Sequence, residues 1–225
     1  MKQLDPKKLR FAVLATDVVL FTLIEGQLKT LLITVNAPPY FINVPGLPGS
    51  LILPHETAEM AAIRNLSQKA GIQEKLFLEQ FYSFSNIKRD PRGRVVSIGY
   101  FALVSPEKMA KIKTPSGAVW QNVFSLPKLA YDHNQIAALA TKRLQGKITY
   151  TGIIQHLLPK EFTLGEMQNA YEIILRKKMD KRNFRKKILK LGMIKNLSRQ
   201  KRGIAHRPAQ LYVFTAKESD IFEIV

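Results

Sequence analysis

The chain has 225 residues, 46% of them hydrophobic, which suits two small domains with real cores and is too apolar for a disordered protein. It has no cysteine, so disulfides, thiolate metal sites and cysteine nucleophiles are excluded. The sequence contains no run of about 18 apolar residues, so no membrane-spanning helix is expected. Thr16 and Asp17 break the first apolar stretch, as expected of a strand rather than a secretory signal. We therefore expect a cytoplasmic protein.

The net charge of +18 is concentrated in one part of the chain. Residues 176–207 contain 14 lysines and arginines and a single acid, Asp180. Such a block beside one helix favours nucleic acid as the partner. A membrane surface could attract the same charge. However, Phe184, Ile188 and Leu191 form a narrow core-type stripe, without the broad apolar face of a helix that lies on a membrane.

The first half of the sequence predicts strands and loops around one helix, followed by a closing helix. Two strands come first, Phe11–Leu20 and Leu23–Val35, with Glu25-Gly26 as the turn signal. Prolines and glycines between residues 38 and 49 then predict a stiff loop. Thr57–Ala70 has helical spacing, and Gly71 stands where a C-terminal cap belongs. The remaining predicted elements are strands at Leu76–Phe84, Val95–Leu103 and Trp120–Val123 and a closing helix at Asp132–Arg143.

From Ile148 onward the pattern is helical and ends in one hairpin. Thr163-x-x-Glu166 is a capping box that opens one helix. Asp180 can cap a second helix, which runs to Leu191 and ends at Gly192. Two short strands, Met193–Leu197 and Gln210–Phe214, flank a long basic loop. Helices followed by a hairpin are the order of a winged helix-turn-helix.

Residues 46–72 resemble the Nudix signature, in which a first glycine and a glutamate precede an arginine, further glutamates and a closing glycine. Glu56 and Arg64 stand at the first glutamate and arginine positions, and Gly71 and Ile72 close the box. Ser50 replaces the first glycine. The resemblance implies a Nudix-like fold and places Glu56 and Arg64 at a ligand site. From the residues themselves, we favour an ion pair between Glu56 and Arg64 that supports the turn before the helix.

At three positions the sequence has lost a negative charge of this signature. Asn65, Gln68 and Lys69 stand where Nudix hydrolases carry the glutamates that hold divalent ions. Their i, i+3, i+4 spacing puts them on one face of the helix. Mg²⁺ prefers charged oxygen ligands, and a lysine would repel it. We therefore expect no metal site, no cofactor and no catalytic residue, and hence a Nudix-type domain that is not an enzyme.

Lys88–Arg94 is a basic turn that leads into an alternating strand. A charge run of this kind is ordinarily a solvated turn, but arginine also pairs well with phosphates through bidentate geometry. The string R-D-P-R-G-R-V-V-S resembles the Nudix-related transcriptional regulators of the NrtR and AraR groups. That resemblance implies a ligand role for at least one of Arg89, Arg92 and Arg94. His133 has no evident partner for catalysis and is interpreted as a helix-start or pocket-lining residue.

The helix capped by Asp180 has one apolar and one basic side. Phe184, Ile188 and Leu191 are expected in a small core. The basic side could be a merely solvated face. However, arginine and asparagine read base edges and lysine neutralises phosphate, and the stretch M-D-K-R-N-F-R-K-K resembles the corresponding helix of the same regulators. The expected DNA contacts are Lys181, Arg182, Asn183, Arg185, Lys186 and Lys190 on the helix, and Arg199, Lys201, Arg202 and Arg207 on a basic wing.

Together these features predict an α+β protein. A Nudix-like α/β/α sandwich domain, residues 1–146, is followed by a winged helix-turn-helix domain, residues 147–225. The resemblance covers both domains in order and implies a homodimeric transcriptional regulator of NAD or sugar metabolism that binds a double-stranded DNA operator. In that family the small-molecule effectors include ADP-ribose and sugars such as arabinose. The arginine turn favours a phosphorylated effector such as ADP-ribose.

Two other functions remain open at this point. The first is a Nudix hydrolase acting on ADP-ribose or another nucleoside diphosphate derivative, with the basic domain as an accessory. The residues at positions 65, 68 and 69 speak against it. The second is an RNA-binding adaptor, which the major-groove character of the basic helix disfavours because the major groove of RNA is too narrow.

Overall fold

The structure is a computed structural model that describes residues 11–201, 208–216 and 220–224. In these residues seven strands form one mixed sheet: β1 (Val13–Ile24), β2 (Gln27–Ala37), β3 (Phe41–Gly46), β4 (Gly49–Leu51), β5 (Phe77–Phe84), β6 (Val95–Val104) and β7 (Val119–Asn122). The main path of the sheet is β3-β2-β1-β6-β5, with β4 paired to β1 and β7 paired to β2. β1 and β6 are parallel, and the other pairs are antiparallel.

Helices cover both faces of this sheet. They are α1 (Ala58–Ala70), the short α2 (Pro106–Met109) and α3 (His133–Lys147). Along β1, Val18 and Leu20 pack in a core with α1, whereas Val19 and Phe21 pack in a second core with α3. Successive strand residues point to opposite faces, so β1 is buried on both sides. The expected α/β/α sandwich is therefore present.

The helix α1 begins and ends where its sequence predicts. The Thr57 hydroxyl accepts a hydrogen bond from the Met60 N–H at 3.2 Å. Gly71 adopts a left-handed conformation with φ 70°, and the N–H of Ile72 donates to the Leu66 carbonyl at 3.0 Å. A Cβ at Gly71 would also clash with the carbonyl of Lys113, so both its φ and its surroundings require glycine.

The segment between residues 38 and 49 differs from the predicted stiff loop. It contains β3 and the start of β4, so the loop prediction was wrong there. β3 lies at the end of the strand order, and its Pro45 is opposite Thr34 of β2. Proline is tolerated in an edge strand because the open side of that strand needs no N–H donor. The prolines therefore led to a loop prediction for β3, although an edge strand tolerates proline.

The C-terminal part contains the expected helices and hairpin. Its elements are a 3-10 helix at Gly152–Leu157, then β8 (Phe162–Thr163), α4 (Leu164–Leu175), α5 (Lys181–Lys190), β9 (Ile194–Lys201) and β10 (Ala209–Phe214). The capping box forms, with the Thr163 hydroxyl accepting from the Glu166 N–H at 3.1 Å and the Glu166 carboxylate accepting from the Thr163 N–H at 2.8 Å. β8, β10 and β9 pair in that order as an antiparallel sheet.

The strand β9 is longer than the predicted strand Met193–Leu197. β9 extends to Lys201, so Arg199 and Lys201 lie on a strand and not in the predicted basic loop. Arg202 and Arg207, which were also predicted to contact DNA, lie outside the described residues.

One hydrophobic core joins the two parts of the chain. It extends from Phe21 and Phe101 in the sheet, through Leu144 on α3, to Tyr171 and Phe184 in the winged-helix part. α3 continues to Lys147 and so passes through the predicted domain boundary after residue 146. Within the described parts of the chain, no helix combines the length and the apolar character that a membrane span requires.

Candidate functional site

A pocket of about 640 Å³ lies beside β1, a volume typical of small-molecule sites. Its walls come from β1, β2 and β4, from the last turn of α1, and from the turn that contains Arg89 and Arg92. Tyr131 and His133, at the start of α3, complete the wall. The Nudix-like half of the chain therefore carries a cavity that opens next to the degenerate signature.

Buried charges form a network at the base of this pocket. The Arg89 guanidinium donates to Asp132 at 2.7 and 2.9 Å and to Asp17 at 3.1 Å. The Ser97 hydroxyl donates to the same Asp17 oxygen at 2.6 Å. Arg89 and Asp17 are both buried, so each of these charges depends on its partners for stability.

His133 belongs to the same network. Its Nδ1 accepts a hydrogen bond from the Leu47 N–H at 2.9 Å, and its Nε2 lies 3.3 Å from an Asp17 oxygen. Because Nδ1 is an acceptor, the ring proton is placed on Nε2, facing Asp17. Burial raises the pKa of Asp17, but His133, Ser97 and Arg89 together outweigh burial and lower that pKa to about 2. The interpretation of His133 as a helix-start and pocket-lining residue is confirmed.

The other two arginines of the predicted turn have different surroundings. Arg92 lines the pocket, forms an ion pair with Asp90 at 2.8 Å and places its guanidinium 5.2 Å from the centre of the Tyr131 ring. Arg94 donates to the carbonyl of Ser85 at 2.7 Å and is not among the lining residues. Of the three arginines, Arg89 and Arg92 therefore meet at the pocket.

Glu56 and Arg64 form a pair next to the pocket wall rather than in it. The Arg64 Nε donates to Glu56 at 2.9 Å, and its Nη2 donates to the carbonyl of Leu51 at 3.0 Å. Glu56 also accepts from the N–H of Leu53 at 2.8 Å. The hydrogen bond from Arg64 is the main cause that lowers the pKa of Glu56 to about 2. The pair connects β4, the following loop and α1, and neither residue lines the pocket.

The three altered signature positions do not fit a divalent ion. Asn65 is buried and donates to the Thr16 hydroxyl at 2.9 Å. Gln68 and Lys69 line the pocket, where Lys69 donates to the carbonyl of Gly49. Across the described residues, no group of three or more histidines, aspartates and glutamates could hold a metal ion. An ammonium and two neutral amides are a poor ligand set for Mg²⁺.

Sequence reasoning missed four contributors to this site, namely Asp17, Ser97, Tyr131 and Asp132. One signal was present, because Asp17 is the one charged residue of β1. A carboxylate in a strand that is buried on both faces needs a buried partner. The identity of that partner depends on the sheet, which brings residues 17, 89 and 132 together.

A second candidate site is the basic surface of α5. Phe184 and Ile188 are buried, and the Phe184 ring lies 5.5 Å from that of Tyr171, so the helix is anchored by its apolar side. The predicted contact residues on α5 are all exposed: Lys181, Arg182, Asn183, Arg185, Lys186 and Lys190. None of these cations forms an ion pair with a carboxylate in the described chain. The two cations of β9 differ, because Arg199 pairs with Glu161 at 2.6 Å and Lys201 pairs with Glu166.

The fold and the pocket define a Nudix-type domain followed by a winged helix with a basic second helix. A family model described as the NrtR DNA-binding winged helix domain matches residues 154–214. The chain is 36% identical over 212 residues to the ADPR responsive transcriptional repressor NtrR of Acinetobacter baylyi, and the match spans 92% of this chain and 84% of that protein. The chain therefore belongs to the NrtR family of Nudix-related regulators.

Three further matches involve two other proteins. The crystal structure of Shewanella oneidensis NrtR complexed with a 27mer DNA superposes with a TM-score of 0.78 at 32% identity, covering 90% of this chain and 93% of that one. The Nudix domain of the same protein, complexed with ADP ribose, superposes with a TM-score of 0.52 at 34% identity, covering 63% and 94%. The ADP-ribose pyrophosphatase of Methanocaldococcus jannaschii is 32% identical over 136 residues, or 60% of this chain and 79% of that protein.

Proposed function

We propose that this protein is an ADP-ribose-responsive transcriptional repressor. Residues 1–146 bind the effector, and residues 147–225 bind operator DNA. One observation carries this proposal. A chain of the NrtR family combines a ligand-sized pocket with an exposed basic helix, whose cations form no ion pair with a carboxylate in the described chain. The Shewanella oneidensis relative has been solved both with DNA and, for its Nudix domain, with ADP ribose.

The charges of the pocket support a phosphorylated effector. Arg92 is half-exposed at the pocket wall, where it can turn toward a phosphate. Arg89 is enclosed by Asp17 and Asp132, so its first role is to fix the shape of the pocket base. The ion pair between Glu56 and Arg64 supports the same wall from outside the pocket. Arg94 lies further away and is assigned a structural role in the turn.

The surface of α5 supports binding in the major groove of DNA. The start of the helix presents Arg182, Asn183 and Arg185, whose side chains can form bidentate contacts to base edges. Lys181, Lys186 and Lys190 are placed to neutralise phosphates. The protein would bind as a homodimer on a near-palindromic operator, one α5 in each half-site.

The helix α3 can couple the two sites. Its start carries Asp132 and His133 of the pocket network, and near its end the Gln145 side chain donates to the carbonyl of Ile174 on α4 at 2.8 Å. An effector that changes the contact of Arg89 with Asp132 would therefore act on a helix that also holds the winged-helix part. Such an effector shifts the equilibrium only if it binds the two arrangements with different affinities.

We further propose that the Nudix-type domain is not an enzyme. The support is the ligand set at positions 65, 68 and 69, which lacks every carboxylate that would hold a divalent ion. The similarity to an ADP-ribose pyrophosphatase favours hydrolysis of ADP-ribose as the second candidate function. Both candidates share one ligand and differ in whether its diphosphate is cleaved.

DNA binding is tested by a gel-shift titration on DNA from upstream of the protein's own gene, with non-specific duplex competitor. We expect saturable binding that resists the competitor and is weakened by ADP-ribose. A double-stranded RNA competitor tests the RNA-binding alternative. Binding that RNA removes as readily as DNA, or that no upstream fragment supports, contradicts the proposal.

Hydrolysis is tested by incubating the purified protein with ADP-ribose and Mg²⁺ or Mn²⁺ and separating the nucleotides by chromatography. We expect ADP-ribose to be recovered intact. Metal-dependent release of AMP that disappears in Glu56→Gln would replace the repressor-only proposal with an active hydrolase.

A further inference from the structure

Lys69 is the pocket cation that protein carboxylates compensate least. Three lysine and arginine side chains in the described chain line the pocket, namely Lys69, Arg89 and Arg92. Arg89 is bound by two carboxylates, and Arg92 is bound by Asp90. Lys69 donates instead to the neutral carbonyl of Gly49. Its positive charge is therefore available to an anion that enters the pocket.

The hydrogen bond to Gly49 fixes the Lys69 ammonium without neutralising it. Gly49 must be glycine, because a Cβ there would collide with the Asp17 carboxylate and lie 2.7 Å from the Thr16 carbonyl. This close approach of β4 to β1 holds the Gly49 carbonyl against the end of α1. An ammonium has three donors, so two remain for oxygens of a ligand.

The environment of Lys69 also favours an anionic partner. The side chain is half-buried, and this burial is the main cause that lowers the pKa of Lys69. Asp17 acts in the opposite direction but is already engaged by Arg89, Ser97 and His133. A buried ammonium has lost part of its hydration, and phosphate oxygens would replace it.

Lys69 stands at the last of the three altered positions of the Nudix-like signature. Glutamates at these three positions would carry a charge of −3 and would need a divalent cation before a diphosphate could approach. Asn65, Gln68 and Lys69 carry +1 instead, which by itself attracts an anion. The substitutions that remove the metal site thus leave a fixed cation on the same helix face.

We propose that Lys69 takes the place of the divalent ion, its ammonium binding the diphosphate of the effector directly, so that effector binding needs no metal. This inference rests on the proposed function, because it takes ADP-ribose as the effector. It assigns a binding role to a position at which the Nudix hydrolase signature has a metal-binding glutamate.

The test is calorimetric titration of the full-length protein with ADP-ribose, once in EDTA and once in Mg²⁺. We expect the wild-type Kd to agree within about twofold in the two buffers. Lys69→Met should weaken binding by about tenfold to a hundredfold, the effect of losing a charge-assisted hydrogen bond. Lys69→Arg should keep most of the affinity because it retains a cation.

Two controls separate this role from a structural one. Lys142→Met makes the same chemical change on the exposed side of α3 and should leave the Kd unchanged. The melting temperature of Lys69→Met should stay within a few degrees of wild type, which shows that the loss is not due to unfolding.

The outcomes distinguish the two proposals. Wild-type binding that requires Mg²⁺, or that Lys69→Met retains in full, would overturn the role of Lys69 and leave the effector assignment intact. No wild-type binding of ADP-ribose in either buffer would overturn the effector assignment and this inference with it.

Discussion

At the scale of single residues, the pocket depends on a few buried charges that satisfy one another. Asp17 is enclosed by Arg89, Ser97 and His133, and Arg89 is shared with Asp132. A buried ion pair adds little net stability, but removing one partner leaves the other uncompensated. The network therefore fixes the shape of the pocket base more than it stabilises the fold.

The dependence of the free energy of unfolding on pH below 4 tests this network. The pKa of Asp17 falls from 3.8 to about 2 in the folded chain, so its ionisation stabilises the fold by about 2 kcal/mol above pH 4. Because the folded-state pKa lies below the unfolded one, this contribution is lost as the pH falls from 4 toward 2. Asp17→Asn should lower the free energy of unfolding at pH 7 by about 3 kcal/mol. The difference in the free energy of unfolding between wild type and Asp17→Asn should then shrink by about 2 kcal/mol as the pH falls from 4 to 2.

Urea unfolding at a series of pH values measures both effects. Glu59→Gln, which alters an exposed carboxylate on α1, serves as the control and should remain close to wild type at every pH. A deficit in Asp17→Asn that does not change with pH would show that Asp17 acts only through packing.

Among the elements of the fold, α5 differs from β9 in whether carboxylates pair with its cations. Arg182 and Arg185 have no carboxylate partner in the described chain, whereas Arg199 is paired with Glu161. A cation that must first leave a carboxylate gains less from a phosphate. The helix should therefore contribute more to DNA affinity than β9 does.

Alanine substitutions measure this contrast. Arg185→Ala should weaken operator binding by about tenfold or more and reduce the preference for the operator over non-specific DNA, as expected for the loss of a base contact. Arg199→Ala should have a smaller effect, and Lys142→Ala on α3 should have none. Fluorescence anisotropy on labelled operator and on a labelled non-specific duplex gives both the affinity and the preference. An Arg199→Ala effect equal to that of Arg185→Ala would contradict the contrast.

The helix α3 is the element that contacts both sites. If it couples them, loss of the hydrogen bond from Gln145 to the carbonyl of Ile174 should weaken the communication without removing either binding event. In Gln145→Leu, the factor by which ADP-ribose weakens DNA binding should fall, by about 0.5–2 kcal/mol of coupling free energy. The measurement is anisotropy with and without ADP-ribose, with Lys142→Ala as control. Unchanged coupling would exclude this hydrogen bond from the path.

The elements also show what the sequence could and could not predict. α1, the capping box of α4 and the anchored face of α5 were predictable because their signals are local. β3 was not, since Pro45 is acceptable only at a sheet edge that local sequence does not reveal. The arginine turn was visible as a charge run. The carboxylates that hold Arg89 come from residues 17 and 132, so they meet it only in the folded sheet.

At the scale of the whole molecule, the continuous core predicts cooperative unfolding. The same hydrophobic cluster includes the sheet, α3 and the winged-helix part. We expect tryptophan fluorescence, which reports on the single Trp120 of β7, and far-UV circular dichroism, which reports on all helices, to give one coincident unfolding midpoint. Separate midpoints would mean that the two parts unfold independently.

ADP-ribose and operator DNA are expected to compete through the conformation of one chain. Linkage requires that ADP-ribose weaken operator binding by the same factor by which the operator weakens ADP-ribose binding. The most direct measurement is therefore calorimetric titration of ADP-ribose into the free protein and into the protein saturated with operator DNA. We predict a Kd for ADP-ribose that is about 5-fold to 150-fold weaker in the DNA complex. Equal affinity for ADP-ribose in the free protein and in the DNA complex would show that the effector does not regulate operator binding.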